Sequence, residues 1–113
     1  MLKPLSPHEV RDMLANGARL IDIRSPGEFA SERIDGSENM PLPNIPEIGG
    51  DAPVIFSCLS GGRVTSNAQM LAAAAGGQAY ELAGSLMAWK QAGLPVVTGP
   101  QKPGLLGGLF GRN

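Results

Sequence analysis

Short apolar runs, too brief for helices, alternate with longer segments of helical composition, and this alternation restricts the fold of the chain more than any other feature. Pro53-Val54-Ile55-Phe56-Ser57 is apolar and β-branched and reads as a central strand, while Val64 to Ala75 has helical composition. Upstream, Ser6-Pro7-His8-Glu9 reads as a capping box, with Ser6 as the cap, Pro7 in the first helical position and Glu9 three residues beyond the cap. The helix it opens is expected to run to about Asn16, with Val10, Met13 and Leu14 on its apolar face and Gly17 as the left-handed residue that ends it. Arg19 to Ile23 reads as a strand, Pro26-Gly27-Glu28-Phe29 as a turn into a short helix, and Gly36 to Pro41 as a brief strand. Three prolines and two glycines between Pro41 and Asp51 leave room for one helical turn at most. Beyond Gly76-Gly77, Gln78 to Leu82 makes another short strand, and Ser85 to Gln91 a last helix ended by Gly93. Strands joined through helices are parallel, because a parallel neighbour requires a crossover. The expected fold is therefore an α/β sandwich whose ligands bind off the carboxyl ends of the strands.

Cys58, the only cysteine, falls at such an end and opens the segment Cys58-Leu59-Ser60-Gly61-Gly62-Arg63. The two glycines allow a tight loop whose backbone N–H groups turn inward. With the helix N-terminus beyond it, that cup favours a thiolate or a bound oxyanion, and Arg63 adds a permanent positive charge at its rim. The competing reading is a buried structural cysteine acting as a small hydrophobe; a mere spacer has no need of two glycines and an arginine at the mouth of a helix.

At 113 residues the chain suits one domain that buries over roughly 60% of its unfolded surface. A formal charge of -1 with scattered Lys and Arg leaves no nucleic-acid footprint, and no aromatic cluster is present to stack bases. A lone cysteine forms no internal disulfide, which suits a reducing compartment. Met1 to Pro7 lacks the apolar stretch of a signal peptide, so the expected location is the cytoplasm.

Several motifs resemble those of the rhodanese-like single-domain sulfurtransferases over roughly Leu5 to Val97. Asp22-Ile23-Arg24 with Glu28-Phe29 is similar to the family's Asp-x-Arg…Glu-Phe/Tyr signature, and Gly36-Ser37-Glu38-Asn39-Met40-Pro41 to its Gly-Ala/Ser-x-Asn-Ile/Leu-Pro stretch. Cys58 to Arg63 resembles its Cys-x-x-Gly-x-Arg loop, and Gly84 to Trp89 with Gly93-Leu94-Pro95-Val96 its Gly-x-x-x-Trp…Gly-Leu-Pro-Val pattern. The chain departs from the family at Glu32-Arg33-Ile34, where Gly-His-Ile is common, and at Val64, where many members carry a hydroxyl. Thr65, Ser66 or Ser60 then stands as the alternative partner of the sulfur. The resemblance implies a three-layer sandwich around a largely parallel five-stranded sheet over residues 1–98. It also implies transfer of sulfane sulfur from a small anionic donor such as thiosulfate, through a Cys58 persulfide, to cyanide in assay or to a thiol or protein in the cell, with no cofactor or metal. Leu59, Ser60, Gly61 and Gly62 would hold the persulfide and Arg63 the donor.

Two rivals stand beside this reading. A phosphatase or arsenate reductase of the anion-loop kind shares the cysteine and the backbone cradle, but as a class those enzymes have a longer loop than the four residues Leu59-Ser60-Gly61-Gly62. A non-catalytic binding module of the same fold is the other. Asp22 and Arg24 either line the entrance to the site or hold the fold, the latter through an ion pair of Arg24 with Glu28. His8 is expected in solvent, Trp89 in the core, and Met70 and Leu71 with the following alanines on a packed helix face. Residues 99–113 form a Gly- and Leu-rich tail, expected to be flexible. Leu105, Leu106, Leu109 and Phe110 would share one face if a helix formed there, for docking on the domain, a partner or a membrane surface.

Overall fold

The architecture comes from a computed structural model that describes residues 2–100. In chain order the elements are β1 (Lys3–Leu5), α1 (Pro7–Ala15), β2 (Arg19–Asp22), α2 (Pro26–Ser31), β3 (Glu32–Arg33), β4 (Glu38–Asn39), β5 (Val54–Ser57), α3 (Gly62–Ser66), α4 (Ala68–Ala75), β6 (Ala79–Leu82), α5 (Ser85–Gln91) and β7 (Val97–Thr98). The expected capping box forms: the Glu9 amide donates to Ser6 Oγ at 3.2 Å and the Ser6 amide to Glu9 Oε1 at 2.8 Å. Gly17 closes α1 at φ +97°.

Five strands make one parallel sheet in the order β1-β6-β5-β2-β4, as the alternation of elements requires. In the central pair Leu20 faces Ile55, Ile21 faces Phe56 and Asp22 faces Ser57. Successive side chains of a strand leave on opposite faces, so this register builds two cores. Ile21, Val54 and Phe56 pack with Val64, Ala68, Leu71 and Ala75 of α3 and α4. On the other face Leu20, Ile55 and Leu82 pack with Val10 of α1 and Leu86 and Trp89 of α5. Each such side chain contributes about 1.5–3 kcal/mol by leaving water. Trp89 is in the core as expected, with its indole N–H on the Pro95 carbonyl at 2.8 Å. His8 is exposed. Leu71 is buried but Met70 turns outward, because adjacent residues of a helix lie on different faces.

Three features differ from the sequence reading. β1 was not expected; Lys3-Pro4-Leu5 adds an edge strand beside β6, where proline is tolerated. The departing segment Glu32-Arg33 becomes β3, paired antiparallel with β7. The helix expected from Val64 to Ala75 is broken in two at Asn67. The Asn67 side chain donates to the Arg63 carbonyl at 2.7 Å, ending α3, and its own carbonyl accepts the Leu71 amide at 2.9 Å, starting α4. A side-chain amide that competes with the backbone has that effect.

No helix among the described residues is long and apolar enough to cross a membrane. The tail from residue 101 onward, with the apolar face read in it, lies outside the described residues.

Candidate active site

Because the sheet is parallel, β2, β5 and β6 all finish at the same edge, and the segments leaving them lie side by side. Cys58 follows β5, the Asp22-Ile23-Arg24 segment spans the end of β2, and Gly84-Ser85 follows β6.

The loop is shaped from outside by α5. The Leu86 amide donates to the Cys58 carbonyl at 3.2 Å and the Met87 amide to the Leu59 carbonyl at 3.0 Å. In a planar trans peptide N–H and C=O point in opposite directions. Fixing these two carbonyls on α5 therefore turns the Leu59 and Ser60 amides away from α5. Gly61 completes the curl at φ +108°, a conformation that a residue with a Cβ disfavours, and its amide donates to Cys58 Sγ at 3.2 Å. A donor aimed at sulfur interacts more strongly with an anion than with a neutral thiol. The helical dipole expected beneath the cysteine is cut short, since α3 spans only Gly62–Ser66. The local amides shape the cup.

Cys58 is 1% exposed, whereas Leu59, Ser60 and Gly62 of the loop face solvent. The sulfur is therefore screened from water. Thr65 and Ser66 are exposed on α3, and the hydroxyl beside the sulfur belongs to none of the expected residues. It is that of Ser85, fully buried, which accepts the Cys58 amide at 3.0 Å and lies 3.8 Å from Sγ and 3.5 Å from the Leu82 carbonyl. Ser85 is the one non-glycine with positive φ among the described residues, at +53°. The sequence carried a usable signal: Gly84-Ser85 leaves β6 as Cys58 leaves β5, and neighbouring parallel strands put those exits together.

We expect Ser85→Ala to destabilise the domain by about 1–3 kcal/mol, the usual cost of a buried amide left without its acceptor. Ser85→Gly loses the same hydroxyl but also relieves the left-handed backbone, so it should fall between Ala and wild type. Urea unfolding of the three proteins checks the order; an Ala variant as stable as wild type would remove the hydroxyl from this account.

The ion pairs differ from those expected. Asp22 and Arg24 are both 3% exposed, so they do not line an entrance, and they pair with each other. Arg24 Nη2 donates to Asp22 Oδ2 at 2.8 Å and to the Glu32 carbonyl at 2.6 Å, and its Nε and amide also reach the carboxylate. Glu28 pairs instead with Arg63, Nη1 to Oε1 at 2.9 Å and Nη2 to Oε2 at 3.1 Å. Glu28 also closes an unforeseen second capping box with Ser25 at the start of α2. A short helix and the cysteine loop are thereby joined across the sheet edge. Arg63 is held above the ordinary guanidinium value, mainly by hydrogen bonds to Glu28 working against desolvation, with added attraction from Glu28, Cys58 and Asp22.

Those same hydrogen bonds from Arg63 lower Glu28 from 4.5 to about 2, against desolvation and with help from Ser25. A carboxylate depressed in the folded state contributes stability that is fully present above its unfolded value and is lost as pH falls through the folded one. Between pH 4.5 and about 2, therefore, wild type should lose stability more steeply than Glu28→Gln, as read by urea unfolding across that range. Parallel slopes would show that the pair is too well solvated to matter.

A surface cleft of about 600 Å³ between Gly36 and Val97 contains no residue of the cysteine loop.

Residues 6–92 match the family model described as rhodanese-like domain. The chain is 33% identical over 92 residues to thiosulfate sulfurtransferase GlpE of Ectopseudomonas mendocina, covering 78% of this chain and 84% of that protein. It is 35% identical over 82 residues to a sulfurtransferase of Allochromatium vinosum, covering 69% and 77%. Among solved structures, a thiosulfate sulfurtransferase from Pseudomonas aeruginosa superposes with a TM-score of 0.79 at 22% identity; the match covers 88% of this chain but only 20% of that one. A rhodanese-related protein from Thermoplasma volcanium gives 0.74 at 21% identity, covering 84% and 97%. At these identities the two superpositions speak for the fold alone.

Proposed function

The chain belongs to the rhodanese-like domain family, and from that premise we propose that it is a sulfurtransferase carrying sulfane sulfur on Cys58. In the first step the Cys58 thiolate attacks the outer sulfur of a donor. With thiosulfate, a new S–S bond forms to Cys58, the S–S bond of the donor breaks, and sulfite leaves with the electron pair. In the second step an acceptor nucleophile, a thiol, a protein thiol or cyanide, attacks the outer sulfur and releases the Cys58 thiolate. The electrons balance without an oxidant or a second cysteine.

The observation that carries this reading is the Gly61 amide aimed at Cys58 Sγ at 3.2 Å, in a loop whose carbonyls are fastened on α5. A persulfide anion puts its charge on an atom one bond beyond Sγ. Preorganised amides that stay in place while charge moves stabilise it as an oxyanion hole stabilises oxygen. Near-complete burial of Sγ supports the same reading, since a persulfide kept from water is kept from stray nucleophiles. Relatives named as sulfurtransferases support the activity class. The test is intact mass: a sulfane donor should make the protein one sulfur atom heavier, and a reductant should reverse the change. Turnover of phosphate esters without any mass gain would favour a phosphatase instead.

A further inference from the structure

We infer that Ser85 is a second donor to the reacting sulfur, one whose hydrogen is free to turn, and that its hydroxyl stabilises the Cys58 thiolate released when the carried sulfur passes to an acceptor. The inference rests on the sulfur-transfer reading above and adds to it a residue from outside the cysteine loop.

The Ser85 oxygen is fixed and its hydrogen is not. The oxygen accepts the Cys58 amide at 3.0 Å, which pins it beside the sulfur. The hydroxyl hydrogen then has two acceptors, the Leu82 carbonyl at 3.5 Å and Cys58 Sγ at 3.8 Å. Both are long, since a hydroxyl and an oxygen that share a hydrogen ordinarily stand about 2.5–3.0 Å apart. Ser85 is 0% exposed, so water does not take the hydrogen instead. A donor held this loosely turns to whichever acceptor carries more charge, because a hydrogen bond to an ion is roughly twice as strong as one to a neutral group. Beside a neutral sulfur the nearer carbonyl takes it; beside a thiolate it turns to Sγ. Only the O–H bond rotates and no heavy atom has to move.

The backbone supports a role beyond packing. Ser85 sits at φ +53°, a conformation that glycine adopts at no steric cost, and strain of this kind gathers at functional sites. What serine adds there over glycine is the hydroxyl. The segment around Cys58 supplies none of its own: Val64 is in the core, and Ser60, Thr65 and Ser66 face solvent.

The charge to be met appears in the second half-reaction. In the loaded protein Sγ is bonded to the outer sulfur, and the charge lies beyond it. When an acceptor takes the outer sulfur, the S–S bond breaks and its electron pair stays on Sγ. The Gly61 amide already donates to that atom at 3.2 Å from within the loop; the Ser85 hydroxyl joins it from the end of β6. The hydroxyl keeps its proton throughout, so no co-reactant is needed.

The experiment separates the two half-reactions in wild type, Ser85→Gly and Ser85→Ala by intact mass against time, with thiosulfate as donor and cyanide as acceptor. It uses the alkaline plateau of iodoacetamide alkylation, where Cys58 starts as the thiolate in every protein. A donor worth about tenfold to the thiolate changes each rate roughly threefold, because nucleophilicity follows basicity with a slope of about 0.4–0.5. Discharge to cyanide should therefore slow roughly threefold in both variants, whose leaving thiolate has lost its donor. Loading should quicken by about the same factor, since the attacking thiolate is less stabilised. The opposed signs distinguish this role from a structural one, in which a loosened site slows both steps. The variants share the missing hydroxyl but differ in backbone fit, so their rates should agree although their stabilities do not. Discharge at the wild-type rate, or both steps slowed together, overturns the inference. If no protein loads, the sulfur-transfer reading fails, and alkylation still tests the donor: equal plateau rates in all three proteins overturn it, and faster alkylation of both variants upholds it.

Discussion

Cys58→Ser protein incubated with excess sulfane donor, thiosulfate or an organic persulfide, should gain no mass, whereas wild type becomes one sulfur atom heavier. The expected loss is complete. A serine hydroxyl is far too weakly acidic to supply the anion that attacks sulfur, and the chain has no other cysteine to take over. The substitution also leaves the surroundings intact. Serine keeps an acceptor for the Gly61 amide that now donates to Sγ, and the Cys58 amide keeps its bond to Ser85 Oγ. Lost loading can therefore be separated from lost folding by unfolding the variant in urea, where it should remain cooperative. Any mass gain that persists in folded Cys58→Ser would place the sulfur elsewhere and end the persulfide mechanism.

Arg24→Met should be the most damaging of the substitutions considered for the fold itself, costing about 3–5 kcal/mol, the usual penalty for stranding one member of a buried ion pair. Against a total of about 5–15 kcal/mol for a domain, much of the stability would go. The reason is local. Asp22 is 3% exposed and accepts the Arg24 guanidinium and amide; without the guanidinium the carboxylate stays buried with little to offset its desolvation. Arg24 also ties the segment after β2 to the Glu32 carbonyl, where β3 begins. Asp22→Asn combined with Arg24→Met should recover much of the loss, because neither charge then remains. Urea unfolding of the single and double variants measures this. If Arg24→Met costs under about 1 kcal/mol, the pair behaves as a solvated surface bridge and its buried role is refuted.

The two ion pairs mark where reading the chain stops working. Asp22, Arg24, Glu28 and Arg63 all stand out in the sequence, yet the partner it suggests for Arg24 is Glu28. Spacing along a strand and a short helix permits either pairing. What decides it is that the segment after Asp22 doubles back, placing Arg24 over its own neighbour, while α2 swings Glu28 to a loop 35 residues away. Ser85 escaped notice for the same reason. Its hydroxyl matters only because β6 lies beside β5, and strand order is a long-range property. The split of the helix at Asn67 was missed for a different reason: helical composition from Val64 to Ala75 masked a residue whose side chain competes for backbone hydrogen bonds.

By itself the sequence determined the parallel α/β plan, the first capping box and the cysteine at a strand's carboxyl end followed by a glycine loop. Each of these depends on contacts between residues a few positions apart, or on the alternation of apolar runs, and both are written along the chain. Tertiary structure alone decided that the amides of α5 fasten the outside of that loop, that Ser85 holds the Cys58 amide and that Glu28 neutralises Arg63. Those contacts join residues 27 to 35 positions apart. Which of the available donors, acceptors and charges meet at that range depends on how the strands are ordered and where the helices come to rest.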